Sequence, residues 1–251
     1  MDLKKNLINK RLNELRLTDY ERQNKKKNLT EDNLAKILLL KNKYKGKRCF
    51  IIGGSPSLEQ LDLTKLTDEI TFSVNRGYKM VDKGLKHTKY HIMADIHSFQ
   101  DDNIASEIPN DFSDEFLIYG GIDFPDERLK TTYFDFVAHA DYIFQDDLQK
   151  PLLTRGTVII FALQIAYYMG FSDIYLIGVD LDFSKIKGHA YKETVGEIER
   201  QSGESVKMQD IMLNSIQDCV GFLTSHGVNI YNASPVGRMD CMPRVKYEEL
   251  F

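Results

Sequence analysis

The chain has 251 residues, 42% of them hydrophobic and 28% charged, with a formal net charge of −4. That is enough apolar material for one large α/β core, and it excludes global disorder. No apolar run reaches the roughly 18–20 residues of a membrane span; the longest, Val158 to Phe171, is broken by Gln164.

The N-terminal residues Met1 to Asn6 carry no apolar signal-peptide core, so a cytoplasmic location is expected. The three cysteines, Cys49, Cys219 and Cys241, are far apart and form no CxxC pair. Neither a disulfide framework nor a cysteine zinc site is expected.

Charge is unevenly spread. Residues 1–48 hold 15 Lys/Arg against 6 Asp/Glu, about +9, which leaves about −13 for the rest. A basic arm on an acidic body reads either as a solvated helical extension or as a contact for a membrane surface or nucleic acid.

In chain order, residues 1–47 predict two helices. The first spans about Leu3 to Glu21 and ends at the lysine run Lys25–Lys27 and Asn28. Thr30 caps the second, Glu31 and Asp32 occupy its first turn, and Ile37 to Leu40 form its apolar face. At Gly46 the pattern changes. Cys49 to Ile52 is a continuous apolar run closed by Gly53-Gly54, as in a strand buried on both faces. Similar runs lie at Ile70–Val74, Tyr90–Ala94, Phe116–Tyr119, Ile174–Val179 and Val228–Tyr231. Helix-period segments intervene at Gly77–Val81, Ser98–Ile108, Thr157–Met169 and Val206–His226.

This alternation predicts an α/β, Rossmann-like, doubly wound and mainly parallel sheet over 47–251, preceded by a basic helical extension, 1–46. Asp123–Lys150 predicts an extra strand near Tyr133 plus a loop. Phe183–Ser205 is a long polar connector of the kind that covers substrates.

Ligands in such sheets bind beyond the strand carboxyl ends. After the first strand come Gly53, Gly54, Ser55, Pro56 and Ser57. After the second come Asn75 and Arg76, and after the third Asp95 and His97. Asp180 and Asp182 follow the run at Ile174–Val179, and Thr154-Arg155-Gly156 opens a long helix. The Gly53–Ser57 loop reads either as a phosphate cradle or as a tight turn with Ser57 as a cap. Asn75 reads as a ribose or base contact, or as a turn residue. Asp95 reads as a ribose, magnesium or proton ligand, or as a cap. Thr154 and Gly156 read as a second anion site or as simple capping. Asp180 and Asp182, at i and i+2, share one face of an extended segment and read as ligands of a divalent cation, or one of them as a cap of the next turn. His189 beside Tyr191 reads as a general base or phosphate donor, or as a solvated loop histidine with no role.

The segments Ile51-Ile52-Gly53-Gly54-Ser55-Pro56-Ser57-Leu58, Leu176-Ile177-Gly178-Val179-Asp180-Leu181 and Thr154-Arg155-Gly156-Thr157-Val158 resemble the MptE-like superfamily. So do Ala166 and Met169-Gly170-Phe171. That superfamily is named for an archaeal 6-hydroxymethylpterin diphosphokinase and includes a domain of motility-associated flagellin glycosyltransferases. The pattern is also similar to bacterial sialyltransferases of glycosyltransferase family 42.

The resemblance implies a nucleotide-activated donor, a CMP-sugar in the sialyltransferases, and a glycan acceptor. It places the nucleotide on Gly53, Gly54, Ser55, Ser57, Asn75, Thr154, Arg155, Gly156 and Asp180. It makes Tyr191 the stabiliser of the leaving phosphate. The sequence departs from the sialyltransferases where Gly54 and Asp95 replace asparagines and where Glu204–Asp210 holds no histidine. His189, with Asp95 as the other candidate, then becomes the expected base.

The first expectation is therefore a metal-independent glycosyltransferase for bacterial surface glycan. The alternatives are a diphosphokinase holding Mg²⁺ on Asp95, Asp180 and Asp182, and a non-catalytic nucleotide-sugar-binding protein. A homo-oligomer is expected, with no nucleic-acid partner, and peripheral contact with the inner membrane face through the basic helices.

Overall fold

The computed structural model describes residues 19–96, 104–124, 129–137, 143–182, 188–193, 195, 198 and 206–251. The expected helix from Leu3 lies outside them up to residue 18, as do His97, His139 and most of the 183–205 connector.

Seven strands form one sheet: β1 (Arg48–Ile52), β2 (Thr71–Val74), β3 (Thr88–Met93), β4 (Ser113–Tyr119), β5 (Thr131–Phe134), β8 (Asp173–Ile177) and β9 (Asn229–Asn232). Their order is β5-β4-β3-β2-β1-β8-β9, and every pairing is parallel. A two-stranded annex pairs β6 (Phe136–Val137) with β7 (Leu152–Leu153). The strand expected near Tyr133 is β5. The sheet grows outward from β1 to β5, then restarts on the other side of β1 with β8, so the topological switch point lies between β1 and β8.

Alternation divides β1 between two cores. Cys49 and Ile51 face a helical layer, and Phe50 and Ile52 face the other side. The helical layer contains α1 (Glu31–Leu40), α2 (Val158–Tyr168) and α3 (Val206–Ser225). Nine of the 11 residues of α2 are buried, which explains an apolar run with no polar face. Fully buried Gln164 is satisfied: its amide donates to the carbonyls of Leu153 (2.7 Å) and Ile160 (2.9 Å), and it accepts from the N–H groups of Gln145 and Leu153.

The opposite face differs from expectation. Its described connections are 3-10 turns, at Pro56–Gln60, Leu63–Leu66, Gly77–Lys83 and Ile104–Ser106, where a helix was expected over Gly77–Val81; of the helix expected over Ser98–Ile108, residues 98–103 lie outside the described residues. Gly84, at φ +103°, ends the Gly77 turn in a left-handed cap, leaving seven residues between it and Arg76.

The lysine run does not end the first helix. Residues 19–28 are helical throughout, since lysine is a good helix former. Thr30 does cap α1, its hydroxyl accepting from the Asn33 N–H at 3.2 Å.

The described arm is fastened to the sheet edge. The Asn33 amide donates to the Tyr133 carbonyl (2.7 Å) and accepts from the Tyr133 N–H (2.8 Å), completing the outer edge of β5. Asn28 donates to the carbonyls of Gly120 and Ile122. Lys25 pairs with Asp135 and Lys27 with Asp123. The positive arm thus meets negative groups of the body directly. Among the described residues no helix is long and apolar enough to cross a membrane.

Candidate functional site

The loops after β1 and β8 meet at the switch point, and they interlock. A Cβ on Gly53 would lie 2.2 Å from the Gly178 carbonyl oxygen, so only glycine allows the approach. The Gly53 N–H donates to Ile177 and the Ser55 N–H to Gly178, both at 2.9 Å. The Ser57 N–H donates to Asp180 Oδ2 at 3.1 Å, and the Ser57 hydroxyl donates to Asp180 Oδ1. The Asp180 N–H in turn donates to Ser55 Oγ at 3.1 Å.

The N–H groups of Gly53, Ser55 and Ser57 are thus engaged inside the fold. The same bonding gives Asp180 a structural task. Burial pushes its carboxyl above the ordinary value, against the two Ser57 bonds that pull it down. The segment after Asp180 is held as well. Its carbonyl accepts from the Arg238 N–H (2.8 Å), and the Leu181 carbonyl accepts from the Gln209 amide.

Gly54 touches the polar connector. A Cβ there would lie 2.9 Å from His189 Cδ2 and 3.5 Å from Tyr191 Cε1. The Ala190 N–H donates to the Gly54 carbonyl at 2.9 Å, pinning the connector to the rim. The His189 and Tyr191 rings stack at 4.8 Å with 8° between their planes. His189 Nδ1 lies 2.6 Å from Glu193 Oε1. Glu193 packs across Gly188, whose φ of +67° and missing Cβ admit the carboxylate. A half-buried imidazole with a carboxylate on Nδ1 has its tautomer and ring plane set by that partner, the arrangement of a general base. Glu193 is a residue that sequence reasoning missed. The four-residue spacing was present in the sequence, but outside a helix such a spacing carries no signal.

Asn75 closes β2 at φ +46°, a left-handed position that asparagine tolerates. Its N–H donates to Ile92, and its side-chain oxygen accepts from the Ala94 N–H at 3.1 Å. It therefore fixes the end of β3, where Asp95 follows. Arg76 is buried next to it. The turn before α2 is separately anchored: the Thr154 N–H donates to Val137, Arg155 pairs with Asp218 at 3.1 Å, and Thr157 is the helix cap in place of Thr154. Arg155 and Gly156 both have positive φ, +37° and +83°. Among the described residues no three His, Cys, Asp or Glu side chains gather into one cluster.

A family model described as 6-hydroxymethylpterin diphosphokinase MptE-like matches residues 23–185. The chain belongs to the MptE-like family. The match begins inside the arm and ends within the 183–205 connector, before His189. Among solved structures, the fold is similar to the MAf glycosyltransferase from Magnetospirillum magneticum AMB-1, with TM-score 0.58 and 15% identity over 84% of this chain. This MptE-like chain spans only 35% of that protein's length. It is also similar to the sialyltransferase CST-II, solved in complex with CMP, with TM-score 0.50 and 16% identity, covering 78% of this chain and 85% of that one. A comparison with curated proteins returns no match.

Proposed function

We propose that this MptE-like chain is a glycosyltransferase that moves a sugar from a nucleotide-activated donor, a CMP-sugar being favoured, to a hydroxyl of a bacterial surface glycan. The observation that carries the reading is the His189–Glu193 pair stacked on Tyr191 and seated on Gly54 at the β1/β8 switch point. The fold's likeness to two transferases supports it.

In the reaction, His189 Nε2 takes the proton of the acceptor hydroxyl. The acceptor oxygen bonds to the anomeric carbon, and the bond from that carbon to the phosphate oxygen breaks. The electron pair leaves with the nucleotide phosphate, to which the Tyr191 hydroxyl donates. Glu193 holds the imidazole in the tautomer that accepts at Nε2 and stabilises the imidazolium that forms. His189 is preferred to Asp95 because it has this orienting carboxylate. No step uses a metal.

Melting temperatures with CMP and EDTA, and with Mg-ATP, are the first test, since a ligand of the native state raises the melting point. A rise with CMP in EDTA is expected. A rise only with Mg-ATP overturns the reading in favour of the diphosphokinase. The variant His189→Ala is expected to keep the CMP shift and lose at least about 1,000-fold in transfer. CMP binding with no transfer from any CMP-sugar leaves a binding protein and ends the enzymatic reading.

A further inference from the structure

Lys79 lies in the Gly77–Lys83 turn after β2, far in sequence from the connector that carries His189. Its ammonium sits 5.4 Å from the Tyr191 ring centroid, over the ring. That is cation–π range, and Tyr191 is the ring on which His189 stacks. Lys79 is itself supported: its ammonium lies 4.0 Å from Glu107 Oε2, which accepts a 2.7 Å bond from the Tyr78 hydroxyl. Burial and the neighbouring carboxylate push the Tyr78 phenol upward, so it stays a donor at neutral pH. A chain of contacts therefore runs Tyr78–Glu107–Lys79–Tyr191–His189–Glu193, joining the turn after β2 to the connector after β8 across the end of β1.

We infer that Lys79 is a positioning residue: its charge over the Tyr191 ring holds the 188–193 connector on Gly54 and keeps the His189 imidazole in register. The connector is tied to the rim by the Ala190–Gly54 hydrogen bond and by the packing of Ala190 and Tyr191 on the apolar face, and the Lys79 ammonium adds to that hold from the turn after β2. An ammonium above a partly buried ring adds attraction to that ring. The inference rests on the proposed role of His189, but its first readout does not.

The test uses the full chain with Lys79→Met, which keeps the aliphatic length and removes the charge, and Lys79→Arg, which keeps the charge. Hydrogen exchange of the Ala190 amide is measured without ligand. Exchange is expected to be about tenfold faster in Lys79→Met and restored in Lys79→Arg. With a CMP-sugar, Lys79→Met is expected to lower kcat about tenfold with KM within twofold, and Lys79→Arg to recover it. Unchanged Ala190 exchange in Lys79→Met, or failure of arginine to restore it, overturns the inference. If the exchange behaves as expected but the wild type transfers no sugar, Lys79 still positions Tyr191 and the proposed reaction is what fails.

Discussion

Ser57 donates both its hydroxyl and its backbone N–H to the carboxylate of Asp180, 123 positions away in sequence. With the Asp180 N–H returning to Ser55, the ends of β1 and β8 are closed into one polar clamp under the candidate site. Residues that look like phosphate ligands in sequence thus hold the platform on which His189 sits. The variant Ser57→Ala leaves a buried carboxylate short of a donor. It should lower stability by about 1–3 kcal/mol in denaturant unfolding.

Two glycines offer opposite outcomes for the same change. Gly53→Ala drives a methyl into the Gly178 carbonyl and should cost about 3 kcal/mol or more. Gly221→Ala, inside α3 with open space around it, should raise stability by about 0.5–1 kcal/mol through helix propensity. Melting curves of the two variants check both signs.

His91 is fully buried in β3, bonded through Nδ1 to Ser73 at 2.7 Å and ringed by Tyr78, Phe112 and Phe116. Burial pushes its pKa down to about 3. The folded chain keeps the ring neutral while the unfolded chain protonates it below its ordinary value, so acid favours unfolding. Stability should fall as pH drops from about 6.5 toward 3, with about 2 kcal/mol lost between pH 7 and 5 from this group. Unfolding of His91→Phe across that range should show a slope smaller by that amount.

At the outer edge of β5, Asn33 supplies both backbone hydrogen bonds of Tyr133. Asn33→Ala leaves the Tyr133 N–H and carbonyl unpaired, at about 2 kcal/mol, and opens a sheet edge. Lower melting temperature and concentration-dependent association in light scattering are the expected results.

Much of the architecture was legible before the fold was known. The strands at β1, β3 and β8 announce themselves as apolar runs because both their faces are buried, and Thr30 marks the start of α1 because a cap acts within three residues. The 3-10 turns on the second face were not legible. Short segments carry too few residues for a helical period to distinguish an α-helix from a tighter turn.

At the site, His189, Tyr191 and Gly54 were each singled out from sequence, and the fold brings them together. Their partners Glu193 and Lys79 were missed. One acts across a loop, where spacing has no fixed direction, and the other reaches from the far side of β1.

Sequence alone thus determined the alternation of strands and helices, the Gly-rich turns and the family, because burial periodicity and backbone freedom are local properties. Only the tertiary structure decided which polar groups serve the fold and which face the site. Ser57 and Asp180 neutralise each other's demands inside the protein, while His189 meets Glu193 at the rim. A hydrogen bond is a fact of distance, and distance between strand ends is set by the order of the sheet.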